Sequence, residues 1–299
     1  MNRINSMGFG KFFFLIMAGM IMLPVLCPAW GTSGSGTKTA SKEREDHGMS
    51  NGKELENLIA QGDWEAVEKT RQMGEAAWPS IRLGAVMPDF QSRQVAMACA
   101  GLLGGEEAGK ILLAGLNDKH INVSLAAAGQ LSMNPPPSAL HGIINKLAAD
   151  SEDNIRGLLA LALGRLPDEA SIRTLLGLAQ GEGDVAQNAR LALAKLKQPK
   201  FLEACTAGLM SEAPHIRYET LAQLIYIDNP DLAARAENLL SDKAEAVNIG
   251  NQYKPMYRRV CDQAVDTLAA LLKITPPFEI GPALIYSDEQ LYQMQLLIK

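Results

Sequence analysis

Ile155-Arg156-Gly157-Leu158-Leu159-Ala160-Leu161-Ala162-Leu163-Gly164 decides the fold, because its frame recurs along the chain. A β-branched residue is followed by a small or short residue four places on and a leucine eight places on. The earlier copies are Val95, Cys99, Leu103 and Val123, Ala127, Leu131. The later ones are Val185, Ala189, Leu193, then Ile216, Thr220, Leu224, and then Val260, Ala264, Leu268. Offsets of four and eight fall on one helical face, so each copy reads as the buried stripe of a helix. Copies begin 28, 32, 30, 31 and finally 44 residues apart. A period of that size marks a solenoid, in which stacking of neighbours makes the core.

Each interval has room for two helices and two short turns. The breakers sit where that requires them, at Pro135-Pro136-Pro137, Pro167 and Pro199. Partner helices are expected over Glu106 to Leu116, Ser138 to Ala148, Ala170 to Ala179, Phe201 to Met210 and Pro230 to Leu240. Apolar residues make up 47% of the chain and aromatics 5%. That is the composition of short helices packed through Leu, Ala, Ile and Val, and not of a sandwich or barrel. Ala100, Ala128 and Ala160 form a column of small residues that lets helices approach closely, broken at Arg190 and Leu221.

The decisive stretch, with its acidic lead-in Asp150-Ser151-Glu152-Asp153, resembles the HEAT-like repeat, in particular its short bacterial form. Val185 to Leu196 and Ile216-Arg217 to Leu224 resemble it more loosely, and the similarity spans roughly Pro79 to Lys273. The resemblance implies an all-α, right-handed α-solenoid of stacked antiparallel helical hairpins. Arg156 and Arg217 beside the first anchor are read as structural, with Ser124 and Ala186 in the equivalent places. Residues 51–87 are expected to form a degenerate N-terminal cap, 88–273 the repeats and 274–299 a closing segment. Ser287 to Gln290 has capping-box spacing ahead of that last helix.

Residues 1–31 read as an export signal. Arg3 and Lys11 precede the apolar run Phe12 to Leu26, and Ala29-Trp30-Gly31 is a small-x-small cleavage site before Thr32. An uncleaved anchor and lipidation at Cys27 are the alternatives; the run is short for a bilayer, and Leu26 is bulky for a lipoprotein site. Residues 32–50 are polar and Gly/Ser-rich, hence a disordered linker. The whole chain carries a formal charge of -5. Without Arg3 and Lys11 the bases fall from 28 to 26 against 33 acids, giving -7, which disfavours nucleic acid and anionic membranes as partners. A periplasmic or secreted location follows, with no membrane insertion after cleavage. Cys99, Cys205 and Cys261 lie in helical apolar patterns and read as buried small hydrophobes, not as a disulfide framework.

Catalytic constellations are hard to find. His47, His120, His141 and His215 stand apart from one another and from the cysteines, so metal-ligand spacing is absent. The His-Glu pairs of HEAT-like deoxyhypusine hydroxylases do not occur. An acidic, aromatic-poor chain does not resemble the HEAT-like DNA glycosylases, and no bilin-binding motif of the HEAT-like bilin lyases can be matched. Gly31 to Gly36 follows no strand and reads as linker. No metal, cofactor or catalytic residue is therefore assigned.

The stretched last interval adds about 13 residues near Asp242 to Pro255, and insertions in solenoids become loops on one face. All six tyrosines fall after residue 217. Tyrosine and arginine dominate interface hot spots. Tyr226, Asn251, Tyr253, Lys254, Tyr257 and Arg258 are thus the candidate partner-binding residues. The blander account makes the loop a tolerated insertion, with Tyr226 and Tyr257 filling a looser core. Three functions stay open: an exported, non-catalytic scaffold for protein–protein interaction in the cell envelope, an enzyme with a site in the concave groove or under the 242–255 loop, and a purely structural envelope component.

Overall fold

The computed structural model describes residues 51–149 and 152–299. The stretches expected as export signal, with Cys27, and as linker to residue 50 lie outside the described residues. So do Asp150 and Ser151 of the acidic lead-in. The described chain divides into two units, residues 51–192 and 193–299. No described helix is long and apolar enough to cross a membrane.

In the first unit a helix over residues 51–60 (α1) is followed by α2 (Glu65–Met73), α3 (Trp78–Gly84), α4 (Phe90–Leu103) and α5 (Gly105–Gly115). Then come α6 (Ile121–Met133), α7 (Leu140–Ala149), α8 (Asp153–Leu163), α9 (Glu169–Leu178) and α10 (Gly183–Lys195), whose last three residues are counted with the second unit. Helices α2, α4, α6 and α8 pack side by side in one layer, with α3, α5, α7 and α9 against them in a second. Chain direction reverses at polar caps. Asp89 accepts from the Ser92 amide at 2.9 Å, and Asp168 from the Ala170 amide at 2.7 Å. Gly104, at φ +69, takes the left-handed turn that ends α4.

The anchor stripes are the floor of this packing. Val123, Ala127, Leu131, Ile155, Leu159 and Leu163 are all buried, as are Ala100, Ala128 and Ala160. Close approach is literal at Gly115, where a Cβ would lie 2.4 Å from Met97 Sδ and 3.1 Å from Ala127 Cβ. Leu103, by contrast, is only half-buried. In α4 the fully buried row also runs through Ser92, Ala96 and Ala100, three residues ahead of the expected frame, because the cap at Asp89 sets where the helix begins.

The second unit contains α11 (Pro199–Thr206), α12 (Pro214–Ile227), α13 (Ala233–Glu237), α14 (Val260–Leu272) and α15 (Asp288–Leu297). Pro199 and Pro214 open their helices at a position whose amide needs no partner. Expected helices over Phe201 to Met210 and Pro230 to Leu240 are broken into α-helical and 3-10 turns. Helix α14 packs on α12 and α13 and is buried along nearly its whole length. Ile216, an expected anchor, is 39% exposed while Thr220 and Leu224 are buried. An offset of four drifts about 40° round a helix, so a three-member stripe can start at the margin of the buried arc.

Among the described residues one element departs from an all-helical expectation. The segment expected as a loop folds into an antiparallel hairpin of β1 (Glu245–Asn248) and β2 (Tyr257–Arg259), with Val247 opposite Arg258 and Asn248 opposite Tyr257. A bulge lies between Glu245 and Val247. Strands this short carry too little alternation to be seen in sequence, and their pairing is non-local.

Candidate functional site

The hairpin is built on a polar foot. Arg217, the fourth residue of α12, donates from Nε to Asp242 Oδ2 at 2.7 Å and from a terminal nitrogen to the carbonyls of Ser211 and Glu212. Asp242 in turn accepts from the Ala244 amide at 3.1 Å, and its carbonyl accepts from the Cys261 amide at 2.8 Å. Both ends of the insertion are thereby pinned. The first unit contains the same device. Arg93, again the fourth residue of its helix, grips Asp118 through two bonds of 2.6 and 2.9 Å and donates to the carbonyls of Met87 and Pro88. In both cases the aspartate lies 25 residues after the arginine. The structural role expected for Arg217 is as expected; Arg93 went unseen because its place is counted from the cap, not from Val95.

Beneath the sheet lies a buried charge network. Arg258 donates to Asp266 Oδ2 at 2.8 Å and to the Tyr218 hydroxyl at 3.1 Å. The Tyr286 hydroxyl donates to Asp266 Oδ1 at 2.5 Å and accepts from the Gly281 amide. Arg259, the cap of α14, makes bonds of 2.7 and 3.1 Å to Asp262 and donates to the Tyr286 carbonyl at 2.6 Å. Asp262 also accepts from the amides of Arg259 and Tyr286. Two arginines of β2 are thus bonded to two aspartates on successive turns of α14, and both aspartates hold the segment carrying Tyr286.

Electrostatics follows from burial. Burial pushes the Asp266 carboxyl up, and the Arg258 charge is the main influence holding it down. Burial likewise raises the Tyr218 phenol to about 12, and raises Tyr286, so both serve as neutral hydroxyls. Cys261 is pushed up to about 11 by burial, with the adjacent Asp262 adding to it. Its thiol is the opposite of an activated nucleophile. Arg258, Asp262, Asp266, Tyr218 and Tyr286 are each at most 5% exposed, so they offer no face to a substrate. Among the described residues no group of three or more His, Cys, Asp and Glu side chains is placed to hold a metal.

The six sequence-nominated residues separate into two sets. Tyr253 is 87% and Tyr257 41% exposed, and Asn251 and Lys254 are also on the surface. Asn251 shapes the tip, its Oδ1 accepting from the amides of Tyr253 and Lys254, both at 2.9 Å. Asn248 closes the turn below, accepting from Gly250 and Met256. Gly250 is required there, since a Cβ would sit 2.1 Å from the Lys254 carbonyl oxygen. Tyr226 and Arg258 belong to the interior instead, at 4% and 0% exposure. They are removed from the surface set. Arg258 follows Tyr257 in a strand, where successive side chains take opposite faces. Tyr226 lies on the buried arc of α12, with its carbonyl accepting from Lys195 Nζ at 2.8 Å. Met256, just before β2 and 46% exposed, joins the surface set; no periodicity in the sequence marks it.

No protein-family model matches the chain, and no curated protein does. Among solved structures, the chain is similar to one from the complex of CpcE and CpcF of phycocyanin lyase from Nostoc sp.. The TM-score is 0.55 at 17% identity, covering 91% of this chain and 98% of that one. YibA of Escherichia coli matches with a TM-score of 0.42 at 17% identity, over 80% of this chain and 88% of that one. The fold is that of the HEAT-like helical-repeat proteins, an all-α solenoid architecture.

Proposed function

We propose that this protein is an exported, non-catalytic scaffold that binds another protein through the tip and outer face of the β1–β2 hairpin. One observation carries the proposal. Two tyrosines and a methionine are held outward on a short hairpin whose inner face is fixed by buried ion pairs. Rigid aromatic side chains with polar tips bind with little ordering cost. Here the pairs at Arg258 and Arg259, the Asn251 turn and the Arg217–Asp242 foot meet that cost in the free protein. The structure similar in fold comes from a complex of two named subunits, which is compatible with a partnered role.

Capture of envelope proteins by the wild type and by Tyr253→Ala/Tyr257→Ala tests this. The double variant should lose at least one specific partner while keeping its fold; identical partner sets would exclude the hairpin. Arg258 is left out of the variant because its loss would disturb folding, not contact.

A catalytic role is the second reading, favoured by the phycocyanin lyase named for the similar structure. It requires a site outside the Arg258 network, whose ionisable groups are sealed. Transfer of a bilin to an acceptor protein, assayed with purified chain, would establish it.

A further inference from the structure

The segment 274–287 joins α14 to α15 and meets the hairpin's anchors at one residue, Tyr286. Each of the two aspartates that hold β2 is shared with it. Asp266 gives Oδ2 to Arg258 and Oδ1 to the Tyr286 hydroxyl. Asp262 accepts the Arg259 side chain on both oxygens and the Tyr286 amide on Oδ1, while the Tyr286 carbonyl accepts from Arg259. The sharing has a cost. Arg258 keeps a buried Nε without a partner, while the oxygen that a two-pronged grip would use is taken by Tyr286. A pair built for strength alone would close that fork. Buried ion pairs add little stability over apolar packing, and their best-attested use is to fix register. Here the shared bonds fix the rotation of each carboxylate, and with it the seat of β2 on α14.

We propose that Tyr286 is the positioning residue of the hairpin, and that 274–287 is a strap which sets how Tyr253 and Tyr257 are presented. With Tyr286 in place β2 is held against α14; with it withdrawn the hairpin swings on its remaining support, the Arg217–Asp242 foot. The functional weight of this rests on the hairpin as the contact surface proposed above; the coupling itself does not. The strap is folded around the residue it delivers. The Gly281 amide donates to the Tyr286 hydroxyl at 2.9 Å, and the Phe278 ring lies 5.7 Å from that of Tyr286. A second link from the hairpin base to α15, Lys243 to Asp288 at 2.7 Å, is 56% and 77% exposed and contributes little. Release of the strap therefore loosens the contact surface from behind, with no change at the tip.

Hydrogen exchange of the full chain, followed by mass spectrometry, tests this with Tyr286→Phe, which keeps the ring and removes one hydroxyl. Amides of residues 245–257 should exchange about tenfold faster than in the wild type, the effect of one lost hydrogen bond to a charged group, while those of α12 and α14 stay within about twofold. Tyr292→Phe, on the exposed side of α15, should change neither. Phe278→Leu loosens the strap without touching an ion pair and should accelerate the same hairpin amides by a smaller factor, so the question is still answered if Tyr286→Phe fails to fold. Hairpin amides that exchange as in the wild type overturn the proposal. So does a uniform acceleration of the hairpin, α12 and α14, the mark of a residue that only adds stability. No partner enters the measurement, so its failure is distinct from failure of the capture test. Where capture depends on Tyr253 and Tyr257, Tyr286→Phe should weaken it by about the same factor although the tip is unaltered.

Discussion

Arg258→Met should be among the most damaging single changes in the second unit, and its cost depends on pH in a way that identifies the cause. Arg258 and Asp266 are 0% and 4% exposed in their side chains and 2.8 Å apart. Methionine fills much of the same volume but leaves the Asp266 carboxylate buried with the Tyr286 hydroxyl as its remaining close donor. Removing one member of such a pair costs about 3–5 kcal/mol at neutral pH. Arg258→Met/Asp266→Leu removes both charges and should cost about 1–2 kcal/mol, mainly because the buried Tyr286 hydroxyl loses the carboxylate it donates to. With Arg258 gone, the Tyr286 hydrogen bond is the main influence still opposing burial, and the Asp266 carboxyl of the folded state rises further above its unfolded value. A folded state that holds this proton while the unfolded state has lost it gains stability as pH falls. The single variant should therefore recover about 1.4 kcal/mol per pH unit across that window, and the double variant should not. Urea unfolding separates the two units spectroscopically. All six tyrosines lie after residue 217, so near-UV circular dichroism of tyrosine follows the second unit. The described tryptophans, Trp64 and Trp78, follow the first by fluorescence. A single variant losing less than about 1 kcal/mol, or a double variant as unstable as the single, would refute the account of a buried charge left without its partner.

Further expectations concern other parts of the molecule. Leu163→Ala should lower stability by about 2–5 kcal/mol, well beyond Arg165→Ala, as read by tryptophan fluorescence in urea; equal effects would mean the repeat register is wrong. Arg93 holds the Asp118 carboxyl below its usual range, so the pair contributes above the unfolded carboxylate pKa and its contribution fades as pH falls through the folded value. The destabilisation caused by Arg93→Ala should accordingly be largest near neutrality and shrink as pH falls below the ordinary carboxylate range, measured by thermal melts. Lys273 ends α14 at φ +54, and Lys273→Gly should stabilise by about 0.5–1 kcal/mol by relieving left-handed strain. Half-buried Cys205 should react with a thiol reagent before buried Cys261, which should label only on unfolding; the order of labelling by mass spectrometry checks it.

The repeat frame in the sequence was sufficient for the helical class. Leucines eight residues after a β-branched anchor, with prolines between, leave few alternatives to stacked hairpins, and Val123, Ile155 and their stripes are buried as periodicity demands. Capping signals were equally legible, since they are local: Ser287 and Gln290 close their box around the start of α15. The division of the six surface candidates was not legible. Whether Tyr257 and Arg258 share a face depends on the period of the backbone they occupy, and that period was set by pairing with β1 across the hairpin, where Asn248 faces Tyr257 and Val247 faces Arg258. Nor did the sequence connect Arg258 to Asp266 or Asp266 to Tyr286, because such partners are brought together by the packing of α14 and have no spacing rule of their own. Local periodicity thus specified which elements form, while burial of charge, a property of three-dimensional neighbours, decided which side chains are structural and which are left facing solvent.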